Sequence, residues 1–459
     1  MSKKSKNEFA SKIGLVAATI GSAVGLGSIW RFPYMTQASG GAAFLLLYII
    51  CIFAFGVPVM IAEFAIGRQA RSDAFGDFKK LAPGSKWWIV GASGLLASYI
   101  IGIYYMVVGG WTLEYLWQSI TGNLYDGALS GGSDTQLDAL FLNRMDEYIF
   151  SPVAPSVFTC LIIIINIFVL SGGVQKGIER LSNIMMPLLF VVILVLCCVS
   201  LSLPGSGEGV RWFIQPDFSK ITPMTVINAL GQTFFSLSLG MGILLTYSAY
   251  YPSDTKLART SMIVSLMSLL IALMMGFVIF PAVFSFGLEQ HSLAGTTLVF
   301  QTLPEVFSKL PATRIWSILF FTLLFMAALT STVSIMEVSV AFLRDRFGFS
   351  RRKACLVALT PLLVLSSVCS LSFSVLKDFT IFGMTIFDFL DLFSTNILLP
   401  LTSIGICIFV GWFAPKNLLR DQITNCGSVK SRVVGLITFV IRWIAPVLIA
   451  TILISPLLD

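Results

Sequence analysis

Two stretches of this 459-residue chain interrupt the apolar runs that contain them. Residues 21–34 read GSAVGLGSIWRFPY, and residues 234–247 read FFSLSLGMGILLTY. Glycine destabilises a helix interior by about 1 kcal/mol relative to alanine, so each cluster predicts unwound backbone. Freed amides and helix N-termini attract carboxylates, and freed carbonyls bind cations. In hydrocarbon, such backbone survives only against protein or a cavity. Interrupted segments at matching places in two halves of a chain point to a binding site at the membrane midplane. The alternative is close helix packing through small residues.

Charge inside apolar runs adds to this. Arg31, Glu63, Asp388 and Asp391 all lie in or beside such runs. Each needs a partner or a wet path, because burial in lipid costs several kcal/mol. Arg31 sits outward of the first break, and Asp391 near the outer end of a later span. A pair between them would close a cavity from outside; a static structural ion pair is the other reading. Glu63 is placed to accept hydrogen bonds from unwound amides. In AALTST, residues 327–332, Thr330 and Ser331 offer hydroxyl oxygens to a small cation, although such hydroxyls often bond the preceding turn instead.

The elements that position these residues are membrane helices. The chain is 56% hydrophobic and 12% charged, with mean hydropathy +0.89. That is too little charge for the surface of a soluble protein of this length. A span needs roughly 20 apolar residues. By that rule the expected class is all-α and integral to the membrane, with about eleven spans. They fall near 11–37, 41–69, 87–120, 154–172, 178–203, 223–251, 257–286, 312–344, 353–374, 384–413 and 431–457. Residues 294–308 are expected to form short helices over the outer mouth, whereas 121–152 shows no apolar periodicity.

The net charge of +7 does not imply a nucleic-acid partner, because lysine and arginine gather in alternate loops. One set of loops holds about 22 of them and the other about 6, which puts the N-terminus in the cytoplasm. An odd span count then leaves the C-terminus outside. The expected localisation is the plasma (inner) membrane, with the lipid bilayer as partner. The eight cysteines show no metal-ligand spacing, and the polar N-terminus has no cleavage site. No nucleophile–base or metal constellation suggests an enzyme, and the one histidine, His291, lies in an outer loop.

Taken together, these segments resemble the neurotransmitter:sodium symporter family, which includes the bacterial leucine transporter. The carriers are GSAVGLGSIWRFPY, GVPVMIAEFAIGR at 56–68, IYYMVVGGWTL at 103–113 and GIERLSNIMMP at 177–187. PDFSKITP at 216–223, GQTFFSLSLGMG at 231–242 and AALTSTVSIME at 327–337 complete the set. They run in family order across spans 1 to 10. The resemblance implies two inverted five-helix repeats with broken helices 1 and 6. On that scheme residues 1–10 are a tail, 11–203 the first repeat, 204–413 the second, and 414–459 a loop and an eleventh span.

Carried over by position, the resemblance implies a substrate site. The amides of Leu26 and Gly27 with the Tyr105 hydroxyl hold a carboxylate. The carbonyls of Ala23, Phe235 and Ser236 receive an amine. Ser22, Ile101, Ser238, Met241, Ser331 and Ile335 line the side-chain pocket. Arg31 and Asp391 form an outer gate above Phe235; Lys6, Tyr250 and Asp345 form an inner one. A sodium site is implied at Gly21, Val24, Ala327, Thr330 and Ser331. A first sodium site departs from the family pattern: Ala23 and Ser236 remain, but Ser28 and Ser268 stand where the family has asparagines. Ala272 offers a chloride ion neither charge nor hydroxyl, although Tyr48 and Gln232, which would flank it, are present.

The implied activity is sodium-coupled uptake of a neutral, hydrophobic or aromatic amino acid. No acidic or basic side chain lines the pocket, so a charged substrate side chain would be buried unpaired. Met241, between two glycines, gives a pliable wall. Between Gly177 and Pro187 the resemblance implies unwinding of span 5 during the cycle, against the alternative of a fixed proline kink. A proton-coupled or exchange transporter of the same fold is the rival reading.

Overall fold

The computed structural model describes residues 9–126, 134–288 and 298–454. Nine of the described helices are long and apolar enough to cross a membrane, and one bent pair makes a tenth. Inner denotes the side of the lysine- and arginine-rich loops, outer its opposite.

The first span is the bent pair: α1 (Lys12–Ala23) and α2 (Gly27–Ala38) meet at 51°. Ser11 caps α1, its hydroxyl accepting from the Gly14 amide. The helix ends where Val24 leaves helical geometry at ψ 81°. Next come α3 (Ala42–Ala70), the short α4 (Ala74–Leu81) capped by Asp73, and α5 (Trp88–Thr121). Outside lies α6 (Asp134–Phe150), followed by α7 (Ala154–Ser171) and α8 (Val174–Leu201).

The second set begins with α9 (Ser206–Ile214) and α10 (Pro223–Ser236). Thr222 and Thr225 form a reciprocal cap at the start of α10. Residues 237–242 are not helical, and α11 (Ile243–Ala249) resumes beyond them. Within the break Ser238, Gly240 and Gly242 all take positive φ, at 55°, 76° and 73°. Then follow α12 (Leu257–Ser285), α13 (Leu303–Ser308), α14 (Thr313–Phe347) and α15 (Arg351–Leu371). The chain closes with α16 (Ile386–Phe413), α17 (Leu418–Ile423) and α18 (Val434–Ile454).

With α10 and α11 taken as one broken span, the described helices account for each of the eleven expected spans. Burial sorts them into layers. In α14, 78% of the most apolar stretch is buried in protein, and in α3 and α12 67%; in α7, α8 and α18 the share is 33%. The first group surrounds the breaks. The second presents apolar side chains such as Phe168, Leu188 and Val447 outward, where lipid replaces protein as solvent.

The helix α6 was not legible as an apolar stripe. It is anchored by a few aromatic contacts: Tyr148 meets Tyr115 edge-on with ring centroids 6.2 Å apart, and Phe141 meets Tyr125 at 5.8 Å. Of the outer segment expected to be helical, Leu298–Thr302 forms a wide helical turn and α13 a short helix. The preceding residues, His291 among them, lie outside the described residues, as does Lys6.

Candidate functional site

The two breaks face each other. The Ser238 hydroxyl donates to the Ser22 carbonyl at 2.8 Å, tying the second break to the first. Glu63, wholly buried on α3, accepts from the Gly240 amide at 2.8 Å, as expected of an intramembrane carboxylate beside unwound backbone. Gly240 is fixed there twice over: its φ is left-handed, and a Cβ would stand 2.6 Å from the Leu399 carbonyl.

Between the breaks lies a cavity lined by Ser22, Ala23, Gly25, Gly27, Ile101, Tyr105, Phe235, Ser238, Met241, Ser331 and Ile335. Of the twelve residues expected around a substrate, ten line it; Leu26 and Ser236 do not, and Gly25 is an addition. Leu26 is nonetheless at the rim, its amide donating to the Tyr105 hydroxyl at 3.1 Å. The cavity offers about 20 Å³ to the centre of a water-sized sphere, room for about one water, which needs roughly 10–15 Å³ by that measure. Any amino acid must therefore push the walls apart. Gly25 keeps what space there is, because a Cβ on it would stand 2.1 Å from the Ser331 hydroxyl oxygen.

The hydroxyl pair on α14 divides. Thr330 Oγ1 lies 3.1 Å from both the Met326 and Ala327 carbonyls, the back-bonding that membrane helices favour. Ser331 Oγ is buried and makes no hydrogen bond among the described residues. On the facing helix, a Cβ at Gly21 would lie 3.5 Å from Thr330 Cβ, so α1 and α14 are in direct contact at that pair.

The four residues expected at a first cation site also converge. Ser28 Oγ and Ser268 Oγ are hydrogen-bonded at 3.1 Å. Ser28 reaches the Ala23 carbonyl only at 3.4 Å and Ser268 the Ser236 carbonyl only at 3.5 Å. Two short side chains thus satisfy one another more closely than they reach the backbone oxygens. Beside them the Tyr48 and Ser236 hydroxyls are 2.7 Å apart, and Gln232 donates to the Gly27 carbonyl at 2.8 Å. Ala272 is fully buried.

The outer gate differs from the direct pair that was expected. Arg31 stacks over Phe235, its guanidinium carbon 4.7 Å from the ring centroid, and no ion pair joins it to Asp391 among the described residues. The ring face competes for the guanidinium, a contact strengthened where water is scarce. Asp388 is occupied at the start of α16, where the Thr385 hydroxyl accepts from its amide at 3.1 Å and donates to its carboxylate at 2.7 Å.

The inner side also departs from expectation. The Tyr250 hydroxyl donates to Glu337 Oε1 at 2.9 Å, not to Asp345. Arg351 grips the same carboxylate with both terminal nitrogens, at 2.7 and 2.5 Å, and its Nε donates to the Leu170 carbonyl at 2.7 Å. Asp345 is exposed at the end of α14. Sequence reasoning missed Glu337 and Arg351. The signal was there, a glutamate inside the apolar run of span 8, but nothing local named its partner.

The chain is similar to known proteins over almost its whole length. The family model described as "Sodium:neurotransmitter symporter family" matches residues 6–128 and 149–459. An uncharacterised sodium-dependent transporter of Haemophilus influenzae is 39% identical over 463 residues, covering 99% of each chain. One of Bacillus subtilis is 36% identical over 449 residues, covering 98% of this chain and 97% of its own. Among solved structures, MhsT in complex with L-phenylalanine superposes with a TM-score of 0.88 at 39% identity, over 98% of this chain and 99% of that one.

Proposed function

The chain belongs to the sodium:neurotransmitter symporter family, and from that premise we propose that it couples inward sodium movement to uptake of a neutral amino acid with a hydrophobic or aromatic side chain. The observation that carries the proposal is the cavity between the two helix breaks, lined by the Tyr105 phenol, to which the Leu26 amide donates, and by the apolar Ile101, Met241 and Ile335.

The Leu26 amide and the Tyr105 hydroxyl, bonded to one another, turn to a substrate carboxylate together with the Gly27 amide. The carbonyls of Ala23, Phe235 and Ser236 take the amine, since helix breaks leave such oxygens without helical amides. Ile101, Met241 and Ile335 meet the side chain, with Ser22, Ser238 and Ser331 supplying the polar remainder. The absence of a charged residue from this lining argues against charged substrates. The phenylalanine bound to MhsT suits the same reading.

Sodium is cargo at the contact of α1 and α14, held by the carbonyls of Gly21, Val24 and Ala327 with the hydroxyls of Thr330 and Ser331. Its bridging of two helices favours the outward-facing state, because a ligand shifts an equilibrium only by its difference in affinity for the two states. Substrate then closes the outer mouth through Phe235 and Arg31, with Asp391 opposite. Lys6, Tyr250 and Asp345 guard the inner side, joined by Glu337 and Arg351. The Ser28–Ser268 bond argues that the first sodium site is weak, so that one ion drives transport. Chloride is not a co-substrate in this scheme, since Ala272 gives it no donor.

The test is binding of radiolabelled L-phenylalanine, L-leucine, L-tryptophan and L-lysine to the purified protein, in sodium and in potassium at constant pH. Sodium-dependent binding of the apolar members, with lysine excluded, is expected; lysine binding would overturn the substrate class. The same weak first site keeps one rival in view, a proton-coupled or exchange transporter. Equal binding in potassium with a strong pH dependence would favour that rival.

A further inference from the structure

The inner end of α1 begins with an incomplete cap. Ser11 is the N-cap, and its hydroxyl accepts from the Gly14 amide at 2.8 Å. In the usual capping box, the residue at Gly14's position is a glutamate or glutamine whose side chain returns to accept the N-cap amide. Glycine has no side chain to return.

The carboxylate comes instead from another helix. Glu179 on α8 accepts from the Ser11 amide at 3.1 Å and the Ser11 hydroxyl at 2.8 Å, both through Oε1. Its Oε2 accepts from the Ala10 amide at 2.7 Å. Glu179 is 4% exposed. It occupies the volume a side chain at position 14 would need: a Cβ on Gly14 would stand 2.0 Å from Glu179 Oε1.

Glu179 ends a widened helical turn, Val174–Glu179, entered through Gly173 at φ 81°. Three residues on, Ser182 faces Gly21, where a Cβ would lie 3.6 Å from its hydroxyl. One short stretch of α8 thus holds the start of α1 and flanks its sodium-site end. Other inner ties of α1 include Phe9, packed among Tyr247, Tyr250 and Tyr251, the Thr19–Tyr251 hydroxyl pair at 2.6 Å, and an exposed Lys12–Asp254 pair, the last worth little in water.

We propose that Glu179 is a positioning residue for transport: it completes the cap of α1 from α8, so that unwinding of α8 and release of α1 inward are one event. The idea rests on the sodium-coupled reading above. Moving the 174–179 turn withdraws three acceptor contacts at once, from the Ala10 and Ser11 amides and the Ser11 hydroxyl that caps α1. While the turn is wound, α1 stays closed and its sodium carbonyls stay opposite α14.

The test titrates sodium against binding of L-phenylalanine to the full chain in lipid nanodiscs. Glu179→Gln replaces an acceptor by a donor facing the same amides. It should raise the sodium concentration for half-maximal binding roughly fivefold, the size of one lost helix cap, and leave phenylalanine affinity at saturating sodium unchanged. Gly14→Ala displaces the same carboxylate and should give a similar shift, and the double variant no more than either alone. A purely structural role would lower the yield of binding-competent protein without moving the sodium midpoint. As a second readout, the Met186→Cys thiol should react faster with a charged thiol reagent from the inner side in Glu179→Gln than in its parent. If Glu179→Gln does not fold, Ser11→Ala and Gly14→Ala carry the same test. An unchanged midpoint with unchanged labelling, or shifts that multiply in the double variant, would overturn the proposal. If the parent protein needs no sodium, the sodium reading fails, and the Met186 labelling alone decides the latch.

Discussion

Arg351 clasps Glu337 across the inner ends of α14 and α15, one nitrogen on each carboxylate oxygen. The two partners are not equally buried: the Glu337 side chain is fully enclosed, and that of Arg351 keeps 15% exposure. Removing Arg351 strands a buried carboxylate, whereas removing Glu337 leaves a guanidinium that can still reach water. Arg351→Ala should therefore destabilise by ~3–5 kcal/mol and Glu337→Ala by clearly less. Thermal unfolding of both variants in the same detergent checks the order, and equal losses would contradict it.

Ser331 and Thr330 present different hydroxyls to the contact of α1 and α14. Thr330→Ala together with Ser331→Ala should abolish sodium-stimulated binding of phenylalanine. Ser331→Ala alone should remove most of it, because the Ser331 hydroxyl has no competing backbone acceptor. Sodium titrations of binding measure this; unchanged sodium dependence in the double variant would sink the assignment.

Asparagines at the first site should restore what two serines cannot span. Ser28→Asn with Ser268→Asn removes the 3.1 Å hydroxyl pair and extends both amide oxygens toward the Ala23 and Ser236 carbonyls. The Hill coefficient for sodium should rise from about 1 toward about 2, as two interacting ion sites require. A coefficient that stays put would mean that the serine site already binds its ion.

Gly25→Ala should eliminate substrate binding while leaving the protein folded. The new methyl falls 2.1 Å from the Ser331 hydroxyl, in a cavity with almost no spare volume. Scintillation binding against thermal stability separates the two effects, and retained phenylalanine affinity would show that the cavity is not the binding site.

Outside the spans, Asp77 on α4 gives a pH prediction. It is fully buried, its Oδ1 accepts from the Ser72 amide at 3.1 Å, and its Oδ2 has no partner among the described residues. Burial first, and the nearby Asp73 carboxylate second, hold its carboxyl well above the ordinary value of 3.8, against the Ser72 bond and Lys80. The native state then keeps a proton that the unfolded chain has lost, so this group's contribution falls as pH rises from about 4 through the native value. Asp77→Asn should raise the melting temperature at pH 8 more than at pH 5 and flatten the profile between them. An unchanged slope would show that Asp77 is ionised in the folded protein.

Glu63 and Glu337 show what could be read in advance. Both are glutamates in apolar runs. Glu63 could be assigned because its partners, the unwound amides, were themselves marked by glycine clusters. Glu337 could not, because its partner Arg351 opens the next helix and looks like any basic loop residue. The same holds for Glu179, whose partners are backbone amides some 168 residues away, which no side-chain pattern announces.

The resemblance implied which residues meet at the breaks; the sequence by itself determined that the chain spans a membrane and which helices break. Those properties follow from local causes: apolar length, glycine content and the cost of buried charge. Tertiary structure decided which polar atoms pair. Arg31 takes the Phe235 ring, Tyr250 takes Glu337, Ser28 takes Ser268, and Glu179 caps a helix that cannot cap itself. In a dry interior each such group must bond whatever lies within about 3 Å, and that neighbour is set by how the helices pack, not by either residue's place in the chain.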